Sequence, residues 1–379
     1  MQNFDVIIIG GGFLGVSTAY QLSKAGVRTL LLEKGDIGSG TSGACSGRAQ
    51  VCEGHLDPLN IKLVLEGFKL HQTLEEELEF DYEWRKVGLF LLLRNGKMWQ
   101  LWKERSPILS SWGIPTELID RETLQKAEPN LNTENVLGAA YTTEGILNPL
   151  RFTHAYAGAA ARQGATLLRN SEVIGMDVHN RKVTAVKTVS ETYTAGVVAI
   201  MAGAWERPVT RMAGVDVPVR PTHAESFITE SIPPVVFHNI GMADSYEIIN
   251  EKEKACAMGI FPEPNGTLDV AEAVTQTDEL HQRTSAWGVC AMAAELVKLF
   301  PILGKARIVR TWGRPTSFTP DGEPLVGWVP QLDNMYVATS LFETIIAVPV
   351  LSKWMAMMIQ GQTPPESLDL YSPSRFVQA

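Results

Sequence analysis

The feature that most constrains this chain lies at its start, where the apolar run Val6–Ile9 leads directly into Gly10-Gly11-Gly12-Phe13-Leu14-Gly15. Phe4–Ile9 is short, apolar and rich in β-branched residues, which predicts a buried strand. Val16–Ala25 reads as a helix closed by Gly26, and Val27–Leu32 as a second strand with Glu33 at its end. A G-x-G-x-x-G turn between strand and helix, with an acid just beyond the next strand, is the pattern that binds an adenine dinucleotide. Gly10 permits the turn, Gly12 lets a pyrophosphate approach the backbone, and Gly15 lets helix pack on strand. The N–H groups at Phe13 and Leu14, on the positive end of the helix, suit a diphosphate. Glu33, 18 residues beyond Gly15, can accept both ribose hydroxyls and repels a 2′-phosphate, which argues against NADP. A purely structural glycine turn is the alternative. The motif alone does not separate FAD from NAD.

With 379 residues the chain is long for a single core, so two interleaved domains are expected. A formal net charge of −9, with no basic run, argues against nucleic acid and anionic lipid as partners. Cys45, Cys52, Cys256 and Cys290 are scattered, with no C-x-x-C pair. That pattern predicts reduced thiols and no metal site. The first residues lack a basic segment and read as a strand, not a signal peptide. Thr344–Met358 is apolar, but Ser352 and Lys353 interrupt it and it is too short to span a bilayer. A cytoplasmic location is the expectation.

Further along, the spacing predicts helices over Leu59–Leu78, Met98–Ser111, Leu118–Glu128 (starting near Asp120), Arg151–Gln163 and Leu280–Phe300. Strands are predicted over Val87–Leu93, Ala165–Leu168, Ser171–His179, Lys182–Thr188, Ala195–Met201, Tyr246–Asn250, Ala255–Phe261 and Met335–Ala338.

Lys34–Gly47, a run of small and hydroxyl residues after the acidic strand end, resembles the D-amino-acid oxidase, glycine oxidase and sarcosine oxidase family of FAD enzymes. Three further segments carry the resemblance: Gly145 and Pro149 in a turn, Val197–Trp205 (VVAIMAGAW), and Ile308–Gly327 with Trp312, Gly313, Arg314, Pro315, Thr319, Asp321, Pro324 and Gly327. The resemblance covers nearly the whole chain. It implies a Rossmann-like, glutathione-reductase-like FAD-binding domain over residues 1–80, 145–220 and 301–379. A discontinuous α+β substrate domain on an antiparallel sheet takes 81–144 and 221–300. The implied cofactor is noncovalent FAD. Lys34, Ser39, Thr41, Ser42 and Ala44 follow the diphosphate toward the flavin. Val173 contacts adenine through its backbone, and Ala202, Gly203 and Gly313 lie close to the cofactor. Thr344 and Ile345 begin a helix whose N-terminus faces the flavin ring. Arg314 pairs with a substrate carboxylate, the alternative being a structural arginine satisfying loop carbonyls.

The family pattern expects glycine where Thr339 and Thr344 stand, which puts the flavin-ring geometry in question. Phe342 and Glu343 fall at ring-facing positions. Glu343 is a candidate for the substrate ammonium, with a surface carboxylate as the alternative. His55 and His223 are possible pocket histidines. The implied activity is oxidation of the C–N bond of an amino acid or secondary amine by hydride transfer to flavin N5. Gly40–Gly47 looks like the FAD subunits of heteromeric dehydrogenases acting on proline, hydroxyproline or opine-type substrates, whose iron–sulfur or further flavin centres sit on partner chains. A single-chain oxygen-reducing oxidase and a noncatalytic flavin-binding subunit are the rival readings.

Overall fold

The computed structural model describes residues 2–52, 57–341 and 344–376. Strand β1 (Gln2–Ile9) and strand β2 (Thr29–Leu32) lie parallel, and helix α1 (Phe13–Lys24) connects them. Val6, Ile8 and Leu31 point into one core, Ile7, Ile9, Leu30 and Leu32 into another. Both faces are covered, which is why these strands are continuously apolar rather than alternating.

Thr192–Ile200 pairs in parallel with the other edge of β1, and Met335–Thr339 follows it. Thr166–Leu168 lies beyond β2, and Leu325–Trp328 closes the far edge antiparallel. The hairpin Val173–His179/Lys182–Thr188 joins this sheet through Thr192–Ile200. α1 packs against the helices Pro149–Arg162 and Thr344–Ile359 on one face. The second sheet runs Ile308–Phe318, Arg220–Thr229, Leu268–Gln276, Lys254–Pro262, Asn239–Met242, Arg85–Leu93, Gly138–Ile146, Arg48–Ala49, and is antiparallel except where Asn239–Met242 meets Arg85–Leu93. A Rossmann-like parallel sheet joined to an antiparallel one is the expected mixed α/β architecture.

Several elements differ from expectation. The predicted strand Tyr246–Asn250 lies in a helix, Ser245–Glu251. No neighbouring strand edge pairs with it, and the helix sets Ile249 against Ala255, Ala257 and Val274. The helix predicted over Leu59–Leu78 ends at Leu70, and a short turn, Leu74–Glu77, follows. Leu118–Asp120 belongs to a strand, Thr116–Asp120, after which the Asp120 carboxylate accepts from the N–H of Thr123 and caps a helix at Arg121–Ala127. The helix predicted from Leu280 starts at Ala286, where Ser285 caps it. Strands Gly138–Ile146 and Leu268–Gln276 carry too many small or polar residues to announce themselves.

The last helix depends on a distant side chain. Pro349 sits inside Thr344–Ile359 and has no N–H, so the carbonyl of Ile345 lacks its intrahelical donor. His71 supplies one: its Nε2 donates to the Ile345 carbonyl at 3.0 Å, and its Nδ1 accepts from the Tyr82 hydroxyl at 3.1 Å. The imidazole stacks on Trp84 with ring centroids 4.4 Å apart. At Gly67 a Cβ would stand 1.8 Å from the Ile346 carbonyl oxygen, so the two helices meet at backbone distance. Burial pushes the His71 imidazole down to about 4, against its hydrogen bond to Ile345. Between pH 6.5 and about 4 the unfolded chain therefore takes up a proton that the folded one refuses. Stability falls as pH drops through that window, by roughly 3 kcal/mol. Urea unfolding of wild type and His71→Asn across pH 4–8 should show this loss in the wild type and a flatter dependence in the variant.

Candidate active site

A cavity of about 680 Å³ runs along the carboxyl ends of β1 and β2 and is walled on its other side by the second sheet. That volume suits an organic cofactor or substrate. At the glycine turn, Gly10 has φ +118°, and a Cβ there would lie 2.3 Å from the Met201 carbonyl oxygen. A Cβ on Gly15 would lie 1.9 Å from the Gly10 carbonyl oxygen, so α1 sits directly on the turn. Gly12, Phe13 and Leu14 line the cavity; Gly15 does not, and serves packing alone. The Phe13 N–H donates to the Ser42 hydroxyl at 3.0 Å. Glu33 accepts from the N–H groups of Gly11 and Gly35, each at 2.7 Å. A carboxylate has about four acceptor positions, so capacity for two ribose hydroxyls remains.

Lys34, Ser39, Thr41, Ser42, Val173, Ala202 and Gly203 also border the cavity. Lys34 Nζ lies 3.5 Å from the centre of the Trp205 ring, and burial lowers its pKa. Ala44 does not line the cavity; its carbonyl accepts from Trp312 Nε1 at 2.8 Å. The Thr41 hydroxyl donates to the Pro315 carbonyl at 2.5 Å, so the small-residue loop is tied to the strand Ile308–Phe318. Gly313, expected beside the cofactor, is likewise outside the cavity lining: a Cβ there would strike the His223 ring at 2.6 Å. Sequence reasoning missed Glu206, a buried carboxyl that accepts from the Ala202 N–H at 2.7 Å. Burial drives its pKa well above the usual carboxylate range. Its place directly after Gly203-Ala204-Trp205 was the available signal.

Thr339, where the family pattern expects glycine, lines the cavity. Its hydroxyl donates to the Gly203 carbonyl at 3.2 Å and lies 3.1 Å from Ser317 Oγ. The left-handed position falls one residue later, at Ser340, with φ +61°. Thr344 donates to the Leu341 carbonyl at 2.5 Å, and with Ile345 it brings the start of the last helix to the cavity. Phe342, Glu343 and His55 lie outside the described residues.

The second sheet contributes the charged wall. Arg314 is 5% exposed; its Nη1 donates to Ser226 Oγ at 2.8 Å and its Nη2 to Glu272 Oε2 at 2.7 Å. Burial pushes the nearby Asp269 carboxyl up to about 7, with Arg314 pulling it back. Arg48, unforeseen from sequence, also borders the cavity and holds buried Glu144 through Nε and Nη2 at 3.0 and 2.7 Å. Asn239 Nδ2 donates to the same carboxylate at 2.8 Å. His223 is not a pocket residue: it donates from Nε2 to the Arg283 carbonyl at 2.8 Å and packs on His281, which does line the cavity. Burial lowers the His223 pKa and raises that of the Cys45 thiol at the cavity wall. Among the described residues no disulfide joins the cysteines, and no group of three or more His, Cys, Asp or Glu is placed to hold a metal ion. Among the same residues no helix is long and apolar enough to cross a membrane.

A glycine turn under α1, an acid at the end of β2 and a cavity continuing to a buried arginine fit a dinucleotide whose reactive end meets a small polar molecule. That defines a dinucleotide-binding protein with a compartment for a second, small ligand. The chain belongs to the DAO family, FAD dependent oxidoreductase, whose profile matches residues 5–358. The beta subunit of sarcosine oxidase from Rhizobium meliloti is 24% identical, over 99% of this chain and 88% of its own length. Glycine oxidase from Geobacillus kaustophilus is 26% identical over 99% and 98%. Mitochondrial sarcosine dehydrogenase from Mus musculus is 28% identical over 88% of this chain, which spans only 37% of that relative. The crystal structure of the Geobacillus kaustophilus glycine oxidase superposes with a TM-score of 0.89 at 24% identity, covering all of both chains. L-proline dehydrogenase from P. horikoshii does so at 0.86 and 24%, covering 99% and 98%. These structural likenesses show the fold.

Two substitutions test the geometry without reference to turnover. Gly10→Ala drives a methyl group into the Met201 carbonyl and should yield insoluble or strongly destabilised protein, read by thermal melting. Arg48→Leu leaves the Glu144 carboxylate buried without its cation and should cost about 3–5 kcal/mol in denaturant unfolding.

Proposed function

We propose that this enzyme oxidises the C–N bond of an amino acid or secondary amine. FAD is held noncovalently, with its ribose on Glu33 and its adenine against Val173. The diphosphate lies by Gly12, Phe13 and Leu14, with Ser39, Thr41 and Ser42 alongside, and the ring lies near Ala202, Gly203, Thr344 and Ile345. Bound FAD supplies a two-electron acceptor for the hydride that leaves the substrate α-carbon. The chain's own part is to bind, orient and keep water out. The observation that carries the reading is Arg314, a buried guanidinium facing the cavity from the second sheet. Its fork can hold a carboxylate by two charge-assisted bonds and fix the α-carbon relative to the cofactor. The first turn of the last helix presents its positive end to the same cavity and stabilises negative charge that develops there.

Electrons then pass to partner subunits that carry iron–sulfur or further flavin centres. The likeness to a sarcosine oxidase beta subunit over nearly the full length of this chain supports that reading. A single-chain oxidase would instead release peroxide from the purified chain.

An anaerobic screen of amino acids and amines against the FAD-loaded protein, following loss of flavin absorbance, tests the proposal. Rapid bleaching by one amino acid is expected, with dye reduction outpacing peroxide formation. If no amino acid or amine bleaches the flavin, the reading is wrong. Arg314→Lys should keep its flavin and raise the KM for that amino acid roughly 10- to 150-fold, since bonds to charged groups contribute about 1.5–3 kcal/mol.

A further inference from the structure

We propose that Glu272 is a specificity-determining residue that admits zwitterions and turns away simple carboxylates. The proposal rests on the assignment of Arg314 as the carboxylate anchor and extends it to the substrate's other charge.

The ion pair between the two residues is lopsided. The Arg314 side chain is 6% exposed and that of Glu272 29%, so the guanidinium is sunk in the wall and the carboxylate stands on its cavity side. Both border the cavity. One outer nitrogen of Arg314 is committed to Ser226 and the other to Glu272. Before any ligand arrives, the one guanidinium suited to hold a substrate carboxylate is already neutralised by a carboxylate of the protein.

Three kinds of ligand meet this arrangement differently. A simple carboxylate must either displace Glu272 and leave its charge unpaired, or crowd beside it with like charges a few ångströms apart, which repel. The second guanidinium on this wall, Arg48, is engaged by both oxygens of buried Glu144 and gives no relief. Asp269 adds further negative potential whenever it ionises, because it is buried in the neighbourhood of Arg314. An amine without a carboxylate can reach Glu272 but leaves Arg314 short of a partner. A zwitterionic amino acid exchanges partners: its carboxylate replaces Glu272 on Arg314, and its ammonium replaces Arg314 on Glu272. Every charge stays paired, and paired charge is the condition for burying charge at modest cost. The substrate class is therefore an α-amino acid whose ammonium and carboxylate are both free, N-alkylated or not.

The test compares two ligands whose responses should move in opposite directions. With the FAD-loaded protein, propionate binding is titrated through its perturbation of the flavin spectrum. The KM is measured for whichever amino acid bleaches the flavin fastest. In Glu272→Gln, propionate should bind at least tenfold more tightly, because Arg314 is unmasked, while the amino acid's KM should rise at least tenfold. Glu272→Asp, which keeps the charge, should restore both toward wild type. Flavin content and melting temperature verify that each variant is folded. If propionate and the amino acid shift in the same direction, or neither shifts, Glu272 is a structural partner of Arg314 and the proposal is overturned while the amino-acid reading stands. If no amino acid bleaches wild-type flavin, both fall together.

Discussion

The contact on which the rest of this protein depends is the meeting of three backbones at Gly10. The carboxyl end of β1 turns there under the start of α1 while the end of Thr192–Ile200 presses its following carbonyl, at Met201, into the space a side chain would occupy. β1 has β2 on one side and Thr192–Ile200 on the other, so the chain leaves the sheet in opposite directions around this point. In open α/β sheets such a switch point is where a crevice opens beyond the strand ends. The glycines keep that crevice clear. Glu33, at the end of β2, and Ala202–Gly203, after Met201, are delivered to its rim by strands in register with β1. The crevice thus follows from sheet order plus the absence of side chains at the glycine turn.

That part was legible because its physics is local: a buried strand, a glycine turn and a helix write their pattern within the first thirty-odd residues. Trp312–Pro315 could be singled out equally well, but not its orientation. Gly313 faces His223 instead of the cavity because strand alternation, invisible without the pairing partner, turns Arg314 and Gly313 to opposite faces. Glu272, Arg48 and Glu144 were missed for a related reason. Each gains meaning only from a residue far away in the chain, and a lone charged residue in an apolar strand carries no sign of its partner. The strand expected at Tyr246–Asn250 failed through the opposite weakness, since a β-like composition without an edge to pair with is free to coil. Thr339 stands where the family pattern has glycine, and its hydroxyl is tied to the Gly203 carbonyl and to Ser317 Oγ.

The cavity wall formed by the second sheet holds its charges in matched sets. Arg48 with Glu144, and Arg314 with Glu272, neutralise each other at the cavity surface. Pairs of this kind add little to net stability, yet removing one member is costly. They make the compartment electrically quiet while keeping strong, directional groups ready for a ligand that can trade places with one of them.

The proline at position 349 carries an implication for how relatives of this chain can diverge. It makes the opening turn of the last helix borrow a donor from position 71, 274 residues earlier in the chain. Histidine at 71 and proline at 349 are therefore a single character written in two places. A lineage that exchanges the proline for a residue with an amide hydrogen frees position 71 to drift, whereas one that alters position 71 first strands an unsatisfied carbonyl in the opening turn of that helix. The two positions should be found changing together, and in that order.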